Sequence, residues 1–160
     1  MVGHLIRFQT RRLALTCQQV HTSIIVLPAQ RANLEGVLVI DAANVIGARP
    51  TGWWRDRAGA ARLFVDQLRD AARHGRLPLP AVVVLEGAAR AGIAEGEVNG
   101  VRVVHAAGNG DDALVAQTAA ATTGVIFVTA DRRLLERVRE LGAETVGPSW
   151  LIDRLRSDGG

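Results

Sequence analysis

Asp41, Glu86, Asp111, Asp112 and Asp131 are the residues of this chain whose types and spacing carry chemistry. Each stands at the end of a strand-like run or at the start of the helix that follows one. Asp41 closes VLVID (37–41), Glu86 follows AVVVL, and Asp131 closes VIFVTAD (125–131). Asp111 and Asp112 open a helical stretch after VRVVHA (101–106). Carboxylates converging on one cleft repel one another, and without a cation some of them must hold protons. Mg²⁺ or Mn²⁺ relieves this, because hard cations take oxygen ligands and need few protein contacts. An ion so placed can polarise a phosphodiester and activate water. The chain has no nucleophile elbow and no Gly-rich phosphate loop, so metal-assisted phosphoryl hydrolysis is the chemistry that fits these residues.

Each acid also has a plainer reading. An Asp after a strand often caps the next helix, and Asp131 before RRLL, or Asp111 or Asp112 before ALVAQ, would serve as caps. Capping does not account for Glu86 after VVVL, nor for Asp41 before Ala-Ala-Asn. The set is therefore more informative than its members.

The elements that must position these acids follow from periodicity. VLVID, AVVVLEG (81–87), VRVVHA and VIFVTAD are short continuous apolar runs, as expected of strands buried on both faces. Residues 58–75 repeat Leu63, Phe64, Leu68 and Ala71 at helical spacing, with Gly75 where a C-terminal cap belongs. Helices are also expected over 111–124 and 132–142, each ending at Gly, then a short strand in AETVGP and a closing helix in SWLIDRL. Trp150 and Leu151 read as core. Alternating strands and helices predict an α/β fold with a doubly wound, mostly parallel, Rossmann-like three-layer sheet. Ligands of such sheets bind outside the carboxyl ends of the strands, and the five acids all fall on that edge.

Length and composition set the outer bounds. The 160 residues suit one domain, here 37–160, behind an irregular N-terminal arm at 1–36 that has no sustained periodicity. The basic pI of about 10.8 is weak evidence for a nucleic-acid partner. All 19 basic residues are Arg, with no Lys or Tyr to titrate below them. The excess is also local. Arg7, Arg11, Arg12 and Arg31 face only Glu35 in the arm, and the remaining 15 Arg and 15 acids cancel. One cysteine, Cys17, excludes an internal disulfide and a Cys-based zinc site. No run approaches the ~18 apolar residues of a membrane span. The arm lacks the continuous apolar segment of a signal peptide. A cytoplasmic protein with no membrane partner is expected, and the Ala/Arg-rich, Lys-free composition fits a bacterial coding bias. The sequence is compatible with a homo-oligomer.

The order of the motifs resembles a known family. Strand-D-x-x-N-V-I-G (37–47), strand-acid-G (VVVLEG), a G-D-D-A-L helix start (110–114) and strand-T-A-D (VIFVTAD) follow one another as in PIN-like nucleases. The pattern is most similar to the NYN and YacP-like branch. The resemblance spans about 37–155. It implies a nuclease that cuts RNA or DNA with Mg²⁺ or Mn²⁺, here single-stranded RNA before DNA. It implies that Asp41 is the central metal ligand, with Asp112 and Asp131 completing an acidic cluster and Glu86 beside them. Asn44 would order the loop or contact a substrate phosphate. The chain departs from the pattern in three places. Glu86 stands where many relatives have Asp, Arg132 and Arg133 stand where NYN relatives often have a second acid, and Asp111 is an extra neighbour without an assigned role.

The loop RPTGWWRDR (49–57) gathers Arg49, Arg55 and Arg57 with Trp53 and Trp54 just after Asn44. Arg pairs with phosphate and Trp stacks on unpaired bases, so this loop is a candidate lip for single-stranded nucleic acid. The alternative is that the tryptophans pack under the loop and Asp56 pairs with an Arg or starts the next helix. The Arg residues of 132–139 read as a solvated helix face with Glu136 and Glu140. Two further functions compete with the nuclease: a catalytically weak PIN-like module that binds RNA or a protein, and a phosphohydrolase of a small phosphate ester. The D-A-A-N sequence lacks the second Asp of D-x-D phosphatases, which weighs against the last.

Overall fold

Val37–Asp41 (β1), up to its final Asp, and Ala81–Leu85 (β2) are apolar because helices cover both of their faces. The computed structural model describes residues 36–156. The arm expected at 1–36 lies outside the described residues, apart from Gly36. The remaining strands are Gly96–Val98 (β3), Val101–His105 (β4), Val125–Val128 (β5) and Glu144–Val146 (β6). The helices are Ala42–Gly47 (α1), Arg57–Arg73 (α2), Gly110–Ala119 (α3), Arg132–Glu140 (α4) and Pro148–Leu155 (α5), with short 3₁₀ turns at Trp53–Arg55 and Gly87–Gly92. The six strands lie in the order β3-β4-β2-β1-β5-β6. Every pairing is parallel except the edge pair β3·β4. This is the expected doubly wound α/β fold.

Strand alternation divides the core into two layers. Leu38 and Ile40 of β1, Val83 of β2 and Ile126 of β5 pack with Val45 of α1, Phe64 and Leu68 of α2 and Leu151 of α5. Val39, Val84 and Phe127 point the other way and pack with Leu114 of α3 and Leu134 and Val138 of α4. Trp150 is half-buried against the first layer, with the Arg154 guanidinium 3.7 Å from its ring centroid. The chain moves outward from β1 through β2 to β4, then returns to the other side of β1 with β5. The carboxyl end of β1 is therefore the point where the winding reverses, the usual place for a ligand cleft in such sheets.

Three features differ from the sequence expectation. A short helix, α1, follows β1 directly. The Asp41 carboxylate accepts from the Asn44 N–H at 3.1 Å, and Ala42, Val45 and Ile46 bury one face. Asp41 is thus a cap as well as a strand-end acid, contrary to the expectation that capping does not explain it. The edge hairpin β3·β4 was not anticipated. Its turn is Asn99-Gly100, with φ of 54° and 73°, the left-handed pair that a two-residue hairpin of this kind requires. Helix α3 stops at Ala119 rather than running to Gly124. The Gly124 carbonyl accepts from the Val37 N–H at 2.9 Å, so the chain must already be extended there to enter the sheet beside β1.

Candidate active site

Alternation along the strands carries three polar residues to one face of the carboxyl edge. Asp41 follows Val39, Glu86 follows Val84, and Thr129 follows Phe127, each two residues on and therefore on the α3/α4 side. Asp41, Glu86 and Asp111 line one small pocket with Ala43, Val84, Gly110 and Leu114. About 20 Å³ of it is open to a water-sized sphere, where roughly 10–15 Å³ holds one water. Among the described residues, no Arg or His lines this pocket.

Asp41 sits at the centre and is only 7% exposed. One carboxylate oxygen accepts from the Asn44 N–H, and the other accepts from the Thr129 hydroxyl at 2.8 Å. Burial raises its pKa above the ordinary 3.8. The two hydrogen bonds pull it back, and the charges of Asp111 and Glu86 push it further up. Glu86 is anchored through Oε2, which accepts from the Gly110 N–H at 3.0 Å. A Cβ at Gly110 would displace the Glu86 carboxylate from this position. Asp111 is half-buried. Burial raises its pKa, Asp131 raises it further, Arg137 opposes the rise, and Glu86 and Asp112 add to it.

The other candidate residues fall into distinct places. Asp112 is exposed and points away from the pocket to the Arg137 guanidinium of α4, at 2.8 Å. Adjacent residues on a helix diverge by about 100°, so Asp111 faces the pocket and Asp112 does not. Asn109 caps α3 instead of either Asp, accepting from the Asp111 N–H. Asp131 is exposed and caps α4 through Oδ1, which accepts from the Arg133 and Leu134 N–H groups. It lies near enough to Asp111 to raise that residue's pKa but does not line the pocket. Among the described residues, no three Asp, Glu, His or Cys side chains converge as ligands of one ion. The donors in the pocket are all carboxylate oxygens, which suits a hard cation keeping several waters rather than zinc or copper.

Asn44 ties the site together: its backbone N–H holds Asp41, and its side-chain oxygen accepts from the Ala130 N–H at 2.9 Å. Thr129 does the same from the opposite side and was not among the residues singled out in the sequence. It is 1% exposed, donates to Asp41, and accepts from the Asp131 N–H. Its signal was present as a polar residue continuing the inward face of VIFVTAD.

The loop 49–57 divides between the two readings. Arg49 turns inward, donating to Gln67 at 2.7 Å and lying 5.4 Å from the Phe64 ring centroid. Trp53 is half-buried against the core, Trp54 is 59% exposed, and the two rings meet edge to face. Arg55 and Arg57 are exposed, and Asp56 caps α2 by accepting from the Gly59 N–H. The Arg-rich helix α4 is the expected solvated face, with Arg132, Arg133, Glu136, Arg137, Arg139 and Glu140 all exposed. Among the described residues, Arg137 pairs with Asp112 and Arg139 donates to the Thr145 hydroxyl, and neither pairs with Glu136 or Glu140. No helix among the described residues is long and apolar enough to cross a membrane.

No model of a known protein family matches this chain, and no curated protein matches it. Among solved structures, a point-mutant form of Rae1 (YacP) from Bacillus subtilis is similar, with a TM-score of 0.55 and 17% sequence identity, over 74% of each chain. At that identity the likeness is one of fold. The chain therefore has the mostly parallel, PIN-like α/β fold that it shares with Rae1 (YacP).

Proposed function

We propose that this chain is a nuclease that hydrolyses phosphodiester bonds of single-stranded nucleic acid, RNA in preference to DNA, with Mg²⁺ or Mn²⁺ at the acidic pocket. The observation that carries this reading is the meeting of Asp41, Glu86 and Asp111 in one pocket where the sheet's winding reverses. The motif order of PIN-like nucleases and the shared fold with Rae1 (YacP) support it. In this reading Asp41 and Glu86 hold the ion, Asn44 and Thr129 orient Asp41, and Asp131 adds negative charge at the rim. The ion, when bound, polarises the phosphate and lowers the pKa of water. In this reading Asp111 takes the proton of the attacking water. The water oxygen forms the new P–O bond, the bond to the leaving oxygen breaks, and that oxygen takes a proton from solvent. A cytoplasmic location is part of the same proposal.

One observation favours a second reading, a PIN-like module that binds RNA without cutting it. As placed, the carboxylates do not converge on one coordination sphere, and Arg132 and Arg133 stand where a further acid is frequent in NYN relatives. Cleavage of labelled single-stranded RNA and DNA separates the two. We expect cutting with Mn²⁺ or Mg²⁺, none in EDTA, and a loss of at least about 100-fold in Asp41→Asn. Undiminished cutting by folded Asp41→Asn contradicts the assigned centre. Binding without cutting by wild type selects the second reading.

A further inference from the structure

The cleft continues past the acids onto the other face of the sheet edge. There Ala43, Ile46, Trp53, Arg57, Leu85 and Glu86 surround a second pocket of about 130 Å³. Ala43 and Glu86 line both pockets, so the two spaces are neighbours separated by these residues. An apolar cavity of ~150 Å³ accepts a benzene ring, so this one has room for a single planar ring, with its mouth open for the rest of the molecule. The walls are mainly apolar, and Trp53 supplies the aromatic face. That indole is fixed on its far side, where it packs close to Gly47 and the core. Arg57 is the one cation of the lining and makes no hydrogen bond or ion pair among the described residues. Its guanidinium lies over the Trp53 ring, 5.4 Å from the centroid and within cation–π range, and must swing off that face to reach a phosphate. The pocket thus holds an aromatic ring with a cation over it, beside the acidic pocket that Ala43 and Glu86 also line.

We infer that this pocket binds one unpaired nucleobase, that of the nucleotide next to the phosphodiester held at Asp41, Glu86 and Asp111. Trp53 is the stacking platform, and Arg57 pairs with the flanking phosphate. A base inside a duplex is already stacked and cannot enter, so the pocket selects single strands. The inference rests on the nuclease reading for the position of the cut, but not for the binding itself.

The test is a binding titration in EDTA, followed by anisotropy of a 5′-labelled single-stranded octanucleotide. The same oligonucleotide is then scanned with one abasic position at a time, and each form is also cleaved with Mn²⁺. Removing one particular base should weaken wild-type binding about tenfold, the scale of one lost stack. Trp53→Ala should bind the intact oligonucleotide equally poorly and lose nothing more on the abasic one, while Trp53→Phe retains most of the affinity. Because Trp53 also packs on the core, Arg57→Ala provides an exposed second variant. It should bind more weakly, with the salt dependence reduced by about one phosphate contact. Normal Mn²⁺-dependent cleavage with indifference to every abasic position overturns the base pocket and leaves the nuclease reading standing. Position-dependent, Trp53-dependent binding with no cleavage upholds the pocket and overturns the nuclease reading. A uniform abasic loss that persists in Trp53→Ala and Arg57→Ala overturns the pocket.

Discussion

At the scale of single residues, the site is decided by which carboxylates face inward. Asp111 and Asp112 are neighbours with the same side chain, but only Asp111 lines the pocket beside Asp41 and Glu86, while Asp112 is tied to Arg137 at the surface. The two Asp→Asn variants should therefore separate. Asp111→Asn is expected to lower cleavage by about tenfold or more. Asp112→Asn should leave it within about twofold and cost no more than about 1 kcal/mol in a denaturant melt, as for an exposed ion pair. The reverse ranking of activities contradicts this assignment. The sequence places both acids on the active edge, because they open the helix that follows a strand. It does not separate them, since that choice depends on how α3 packs against β1 and β2. Thr129 was hidden for a related reason: a lone Thr at a strand end is unremarkable until Asp41 is seen accepting its hydroxyl proton. Arg49 was legible as a cation but not as one turned under the loop toward Gln67 and Phe64.

At the scale of elements, the junction between β4 and α3 fixes the position of Glu86. The first N–H of α3 belongs to Gly110 and donates to the Glu86 carboxylate, and a Cβ there would overlap the carboxylate as it stands. Gly110→Ala should force the carboxylate aside. We expect a loss of about 1 kcal/mol in a denaturant melt, the scale of one hydrogen bond, together with weaker cleavage. An unchanged melt and unchanged activity contradict this arrangement. The long apolar strands and α2 were readable from periodicity, because each needs five or more consecutive residues to agree. The hairpin β3·β4 was not read, although Asn99-Gly100 is a strong turn signal, because β3 is three exposed residues with no apolar face. Helix α1 escaped notice because it is six residues long and depends on Asp41, whose strand-end role drew attention away from capping.

At the scale of the whole molecule, the fold was legible because alternating strands and helices admit few arrangements. The strand order then carries separated acids to one edge without any local signal linking them. Bringing them together has a cost that depends on pH. The pKa values of Asp41 and Asp111 are raised in the folded chain, so each binds its proton more tightly folded than unfolded. Their contribution to stability is fully present below the ordinary value of 3.8 and is lost as the pH rises through their raised folded values. In EDTA, the melting temperature of wild type should therefore carry a component that falls as the pH rises above the ordinary value of 3.8. Asp41→Asn should flatten that component. An identical pH profile in the two proteins contradicts the role of Asp41 as the buried, repelled carboxylate of the site.

A cation at the acidic pocket should relieve this repulsion, and thermal melting at neutral pH with Mn²⁺ or EDTA tests that most directly. Ligand at about 100 times its Kd stabilises the folded chain by about 2.7 kcal/mol, a rise of several degrees for a domain of this size. The account predicts that rise for wild type and none for Asp41→Asn. No rise in wild type, or an equal rise in both proteins, would contradict a metal centre built on Asp41.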